Sequence, residues 1–330
     1  MVNMEGPVRE RLLPLLKVGE AVSGEELAAR LGVSRVAVWK GIKELKGRGV
    51  QVASGRRGYW LSQPADLISI IALEALLKGC LVGGTIVYRE SVDSTQSLAR
   101  ALVEGGAHDG LIVVAERQSE GRGRMGRKWV SDAGGLWFTI AIRPKVSPAF
   151  LQACTSMVSL SVRDSIRALL GREPLLKWPN DVLVGKGKVC GVLSEVAASA
   201  DEIRYVLLGV GVNVNNDVRS IGARGTPAAS LKELLGHAVQ RDALLVSIIK
   251  GVDMRYRRAR KEGFGALLDE YRASCSTVGK RVRVEYTDSV IEGMAVGIDE
   301  LGALVVKSDG KVFKAHSGDV VHLRARRLKL

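Results

Sequence analysis

The sequence predicts an α+β protein of three successive modules, with boundaries near residues 64 and 276 (1–64, 65–276 and 277–330). Three observations carry this. Apolar residues recur at helical spacing in the first module, which closes on a Gly-bounded hairpin signal. In the second, strand-like and helix-like runs alternate irregularly. From about Val278 only short alternating runs remain, separated by Asp/Gly turns.

The first module reads as three helices and a hairpin. A helix is predicted over 7–17, with Val8, Leu12, Leu15 and Leu16 as its stripe. Ser23 to Glu26 has the S-x-x-E form of a capping box and opens a second helix. Leu31-Gly32-Val33 makes the turn, and Ser34 caps a third helix that Gly47 and Gly49 end. Val38, Ile42 and Leu45 face the core in that helix, leaving Arg35, Val36, Trp39, Lys40 and Lys43 on or near the opposite side. Gly55-Arg56-Arg57-Gly58 marks the hairpin tip. A basic exposed face on the second helix of such a pair suits the major groove, with the hairpin against phosphates. The pattern resembles a winged helix-turn-helix. A small helical domain with a solvated basic face is the alternative. The DNA-contacting candidates are Ser34, Arg35, Val36, Trp39, Lys40, Lys43, Arg56 and Arg57; Trp39 packed against the hairpin is an alternative to its reading bases.

A polar break at 62–66 leads into the second module. Strands are predicted at 85–89, 111–116, 136–143, 188–197 and 205–214. Helices are predicted at 94–103, 148–170 and 241–261. Ser147 and Pro148 open the long helix and Gly171 stops it. Mixed order of this kind predicts a sheet covered by helices. In the third module, strands are predicted at 281–286, 290–298, 303–307, 312–315 and 320–323, with turns at 299–302 and Asp309-Gly310.

Net charge is +14, which suits a polyanionic partner such as nucleic acid or a nucleotide, or simply a basic soluble protein. Cys80, Cys154, Cys190 and Cys275 lie far apart without metal-ligand spacing. That argues against a zinc site or disulfide framework and favours a reducing cytoplasm. Neither a signal peptide nor a membrane-spanning apolar run is expected.

The most informative stretch is Gly121 to Trp129, G-R-G-R-M-G-R-K-W. Glycines permit close backbone approach, and arginine forks match carboxylate and phosphate. Alone, the run reads equally as a solvated basic turn. Its G-x-G-x-x-G is not a dinucleotide fingerprint, because a strand follows where a helix is required. No phosphate loop of the G-x-x-x-x-G-K-[ST] type occurs. Other motifs join it: Ser91 to Gln96 at a strand–helix junction; Lys177-Trp178-Pro179-Asn180-Asp181; Lys188 and Gly191 on a strand; Gly209-Val-Gly211-Val-Asn213. Singly, each is ordinary cap or turn chemistry.

Together, Ser94-Thr95, Gln118, the Gly/Arg loop, K-W-P-N-D, Lys188/Gly191 and G-V-G-V-N stand in the order and spacing of biotin protein ligases. With the amino-terminal helix-turn-helix, the chain resembles the bifunctional members that also repress the biotin operon. The resemblance implies a central domain of the biotin/lipoate ligase type and an SH3-like carboxy-terminal barrel. It implies activation of biotin by MgATP to biotinyl-5′-adenylate and transfer to a lysine of a biotin carboxyl carrier protein. By that resemblance Ser94, Thr95, Gln96, Gln118, Gly121, Arg122, Gly123, Arg124, Trp129, Lys188 and Gly191 contact biotin, while Lys177, Asn180 and Asn213 serve ATP. Arg124, Asp181 and Lys188 carry the chemistry, with Asp181 holding Mg2+.

The resemblance further implies a homodimer on operator DNA, formed by edge-to-edge sheet pairing, for which strand 136–143 is the expected edge. Residues 216–230 are the expected lid, lacking the tryptophan that some relatives stack on adenine and carrying Ala228 there. Met125 replaces an arginine at a permissive position. His108, His237, His316 and His322 are expected to be structural or on the surface. A non-catalytic biotin sensor and a lipoate ligase are the alternatives; the chain contains no G-G-G of the lipoate type. It is not itself a carrier, since no methionine precedes a lysine.

Overall fold

The computed structural model describes residues 7–47, 50, 52–62, 68–199, 202–219, 221, 226–286, 289–316 and 318–323. Two compact units emerge. One runs to Leu73 and includes Gln240–Ala243; the other comprises Glu74–Val239 and the chain from Leu244.

In the first unit the predicted opening helix is shorter than expected. Helix α1 (Val8–Leu12) gives way to a single 3-10 turn at Leu13–Leu15. Pro14 is the cause, since it has no N–H to continue the α ladder. The stripe still works: Leu12 and Leu16 are buried, with Val8 and Leu15 packed against them. Helix α2 (Gly24–Leu31) starts where Ser23 Oγ accepts the Glu26 N–H at 3.0 Å. The Glu26 carboxylate pairs with Arg30 one turn on, rather than completing the expected box. Gly32 ends α2 at φ 64, the left-handed cap glycine favours.

Helix α3 (Arg35–Gly47) begins with the Ala37 N–H donating to Ser34 Oγ and buries Val38, Ile42 and Leu45. Strands β1 (Val52–Gly55) and β2 (Gly58–Leu61) form the predicted hairpin. Paired backbone hydrogen bonds, both 2.9 Å, tie Tyr59 to Val22 ahead of α2. Residues 48, 49 and 63–67 of the predicted helix end and linker lie outside the described residues.

Helix α4 (Ile70–Leu76) precedes the second unit's sheet. Its strands are β3 (Thr85–Val92), β4 (Leu111–Gln118), β5 (Leu136–Ile142), β6 (Leu175–Lys177), β7 (Asp181–Val184), β8 (Gly187–Ala198) and β9 (Ile203–Val212). Helix α5 (Thr95–Glu104) lies between β3 and β4, and α6 (Leu151–Leu170) between β5 and β6. The sheet order is β3-β4-β5-β9-β8-β7-β6. Only β3 and β4 are parallel, joined through α5 as a parallel pair requires.

Leu111, Ala141 and Leu207 form one cross-strand row under α5. Ile112 and Val114, on the other face by strand alternation, are equally buried. Strand β5 is buried at every position and hydrogen-bonds to β4 and β9. The expectation that 136–143 is a free edge is therefore wrong: both backbone sides are already used. On α6, Ser159 and Ser161 donate to carbonyls one turn back, which lets buried hydroxyls lie within the core.

Helices α7 (Leu231–Leu235), α8 (Arg241–Glu262) and α9 (Gly265–Ser274) follow. Short α7 carries a complete capping box, Ser230 with Glu233, that the sequence reading passed over. The carboxy-terminal module is an antiparallel sheet of β10 (Arg281–Glu285), β11 (Val290–Ile298), β12 (Leu304–Ser308), β13 (Lys311–Ala315) and β14 (Asp319–His322), ordered β13-β12-β11-β10-β14. The predicted Asp309-Gly310 turn is a two-residue hairpin loop with both residues at positive φ, 48 and 76. The predicted basic tail at 324–329 lies outside the described residues.

Trp178 joins this module to the main sheet. It is 1% exposed, its Nε1 donates to Gly302 O at 2.9 Å, and its backbone N–H donates to Thr277 Oγ1 at 3.0 Å.

Candidate functional site

The amino end of α5 forms the floor of a cavity of about 990 Å³. Ser94 caps the helix through the Gln96 N–H, and Ser94, Thr95 and Gln96 are all buried. Hydroxyls then chain together: Thr139 Oγ1 donates to Thr95 Oγ1 at 2.8 Å, and Thr95 Oγ1 to Gln118 Oε1 at 2.9 Å. Gln118 Nε2 continues to Ser131 Oγ at 2.9 Å, and Ser131 to the Trp129 carbonyl at 3.1 Å. The relay aligns every polar group in one sense, which suits recognition of a small polar ligand.

The Gly/Arg loop is a tight hairpin above this floor. Trp129 N–H donates to Gly121 O at 2.8 Å and Gly123 N–H to Arg127 O at 2.7 Å. Its tip, Met125 and Gly126, takes positive φ. Met125 is half exposed, which fits a permissive position. Glycine is required beneath the loop for space. A Cβ on Gly211 would lie 2.4 Å from Trp129 Nε1, and one on Gly121 would lie 2.3 Å from Trp129 O. Trp129 therefore rests on backbone. Its Nε1 is buried and finds no acceptor among the described residues, a group that a ligand oxygen would satisfy.

The opposite wall is cationic. Lys188 Nζ lies 2.6 Å from Asp181 Oδ1 and 5.1 Å from the Trp129 ring centre. Lys177 Nζ donates to Thr226 Oγ1 at 3.1 Å, and Asn180 Nδ2 to Val192 O at 2.7 Å. Arg122, Arg124, Arg127, Lys128, Lys177, Lys186, Lys188 and Lys280 line the cavity against the carboxylates of Asp181 and Asp319. Burial pulls both Arg124 and Lys177 below their ordinary pKa, with Asp319 and Asp181 acting in the opposite sense. Such a surplus of positive charge, desolvated at Arg124 and Lys177, suits polyphosphate and carboxylate.

All the predicted biotin- and ATP-site residues except Gly121 line this one cavity. Gly121 lies just behind it, where only backbone fits. Asn213 is buried and tied to Asn216, whose Nδ2 donates to its Oδ1 at 3.1 Å. Of the expected lid, residues 220 and 222–225 lie outside the described residues. Around Ala228, backbone pairing with Lys188 already straps the segment to β8 (Lys188 N–H to Pro227 O, 2.7 Å).

The sequence reading held Arg127 within the Gly/Arg loop without giving it a role, and missed Lys280, Asp319 and His322 as cavity residues. Arg124 Nη1 donates to Gly318 O at 3.2 Å, and Arg127 pairs with Asp319, so the carboxy-terminal module meets the loop directly. No local pattern announces residues brought in across nearly 200 positions. His322, expected to be structural or on the surface, lines the cavity wall.

In the first unit, Arg35, Val36, Trp39, Arg56 and Arg57 line a cleft of about 470 Å³ between α3 and the hairpin. Val36 and Trp39 are 62% and 52% exposed, and Lys43 Nζ sits 5.4 Å from the Trp39 ring centre. Ser34, Lys40, Arg56 and Arg57 are also exposed.

Known proteins match this architecture. The Biotin/lipoate A/B protein ligase family profile matches residues 88–213, an HTH domain profile 8–60, and the Biotin protein ligase C terminal domain profile 277–323. The bifunctional ligase/repressor BirA of Bacillus subtilis is 31% identical, covering 96% of this chain and 99% of its own length. That of Escherichia coli is 30% identical over 96% and 97%. The biotin protein ligase from Aquifex aeolicus, solved with biotin and ATP, aligns at a TM-score of 0.62 and 29% identity over 73% of this chain and 99% of that one. Among the described residues no helix is long and apolar enough to cross a membrane. Similarity at this level through all three modules shows that the chain belongs to the biotin protein ligase family, in its bifunctional ligase/repressor form.

Proposed function

We propose that the protein activates biotin with ATP, transfers it to a lysine of a biotin carboxyl carrier protein, and as a homodimer binds operator DNA to repress biotin genes. The observation that carries the catalytic reading is the single cavity that gathers the α5 floor, the Gly/Arg loop and the Lys177/Asp181/Lys188 wall. Activation requires a carboxylate to attack the α-phosphate, releasing diphosphate. Two anions must meet, and Arg122, Arg124 and Lys188 offset their repulsion and the charge that develops. In the second step a carrier lysine amine attacks the acyl carbon and AMP departs. A mixed anhydride needs no enzyme nucleophile, so no Ser, Cys or His serves as one.

The biotin set assigned above and the ATP set Lys177, Asn180 and Asn213 are the ligand positions in this reading. Mg2+ fits only together with nucleotide. Asp181 is a single carboxylate beside Lys188, and among the described residues no three His, Cys, Asp or Glu side chains cluster. Magnesium at phosphates needs only one or two carboxylates and would neutralise phosphate charge there.

Exposed Arg35, Lys40, Lys43, Arg56 and Arg57 support DNA contact, and a palindromic operator would require two copies. Four free cysteines suit the cytoplasm. Module boundaries near 64 and 276 complete the reading.

The test is incubation of the full chain with biotin, ATP and a carrier domain. ATP-dependent labelling of the carrier is expected. Absence of label with biotin still bound would leave a non-catalytic biotin sensor.

A further inference from the structure

His322 ends β14 on the cavity wall, where the electrostatic influence of Lys177 and Lys280 reaches it. Its Nε2 lies 3.1 Å from Thr277 Oγ1, and Thr277 is fully buried. The same hydroxyl accepts the backbone N–H of Trp178 at 3.0 Å. A hydroxyl has one proton to give. With a backbone N–H already donating to its oxygen, Thr277 has that proton free for a nearby acceptor. The buried Cys275 sulfur, which also contacts the hydroxyl, is a weaker acceptor than an imidazole nitrogen. An Nε2 that accepts this proton leaves the ring's own proton on Nδ1.

We infer that His322 is a nucleotide-contacting residue, oriented through Thr277 so that Nδ1–H donates to an oxygen of the nucleotide's phosphate chain. The positive charge of Lys280 and Lys177, which line the same cavity and whose field reaches the ring, makes a phosphate the fitting acceptor. Burial, with Lys280 and Lys177 adding to it, pushes the imidazole down to about 4, so the ring keeps this one-proton form at neutral pH. The inference rests on the ATP-dependent reading above. The backbone N–H at position 178 thereby positions Thr277.

The experiment compares His322→Ala, His322→Asn and His322→Gln in steady-state biotin transfer. Asparagine returns an N–H near the Nδ1 position and glutamine near Nε2. Loss of a hydrogen bond to a charged acceptor raises the KM for ATP in His322→Ala by on the order of ten-fold, with the KM for biotin changed by less than about two-fold. His322→Asn recovers most of the loss and His322→Gln does not. An unchanged KM for ATP in His322→Ala, a parallel rise in both KM values, or Asn and Gln variants that behave alike would each overturn the inference.

Titration of the same variants with a non-hydrolysable ATP analogue reads His322 without turnover. A wild type that binds the analogue yet transfers no biotin would sink the ligase reading and still leave His322 judged by the order of the three affinities.

Discussion

Replacing Gly211 with alanine tests how the Gly/Arg loop is held. The backbone at Gly211 is not in the left-handed region, so alanine meets no conformational penalty there. The added methyl meets the indole instead, 2.4 Å from Trp129 Nε1, 2.7 Å from Cε2 and 3.0 Å from Cζ2. Those distances are well inside van der Waals contact, and a ring cannot bend away as a flexible tail would. Trp129 must tilt, carrying with it the Lys188 contact at 5.1 Å and the carbonyl that Ser131 uses to end the hydroxyl relay.

Overpacking of this kind costs about 1–3 kcal/mol. If the cost falls on the ligand-ready loop, biotin binding weakens by about five- to 150-fold at 1.4 kcal/mol per decade. Calorimetric titration with biotin and urea unfolding would divide the loss between affinity and stability. Gly265→Ala, with nothing within 4 Å of its added carbon, is the control. Trp129→Leu in the Gly211→Ala background relieves the clash, so the two substitutions are non-additive. Wild-type affinity and stability in Gly211→Ala, or simple additivity in the pair, would refute the shelf.

Four further outcomes are expected. Thr139→Val keeps shape but removes the donor that starts the relay to Thr95, costing about 1–3 kcal/mol in unfolding or biotin affinity; equal values for both proteins would disconnect the relay from the site. Arg124→Gly, which removes a half-buried side chain tied to Gly318 O, speeds escape of the adenylate and spreads label to unrelated lysines; an adenylate off-rate equal to wild type contradicts this. Burial, reinforced by Lys280 and Lys177, lowers His322 from 6.5 to about 4, so the unfolded chain takes up that proton first. Stability is thus flat above about pH 6.5 on this account and falls as pH drops toward 4, a slope that His322→Asn removes in urea titrations at stepped pH. Arg56→Ala and Arg57→Ala at the hairpin tip weaken duplex binding and each lower the log–log salt slope by about one; slopes matching wild type would take the hairpin out of the interface.

Much of the architecture was legible in the chain because its causes are local. The stripe of Val38, Ile42 and Leu45, the Ser34 cap and the paired positive φ of Asp309-Gly310 each depend on groups a few residues apart. Where a local rule was overlooked, the reading failed locally: Pro14 broke the first helix, and three-residue β6 was too short to show a period. The candidate ligand residues were legible as motifs, because Gly, Arg, Lys and Asp at fixed spacing carry chemistry wherever the chain puts them.

What only the tertiary structure decided is which of those motifs meet, and with what. Position in a sheet is set by hydrogen bonds between distant strands: the apolar run at 136–142 marks a buried strand, but only the fold shows that β4 and β9 flank it and leave no side to pair. Space is likewise non-local: Gly211 is glycine because Trp129, from another strand connection, lies on it. The charge and proton state of the cavity arise when burial brings Asp319 and His322 of the last strand against Arg127 and Lys177. A sequence displays each side chain's chemistry, but desolvation and contact, which give that chemistry its strength, exist only once the chain has folded.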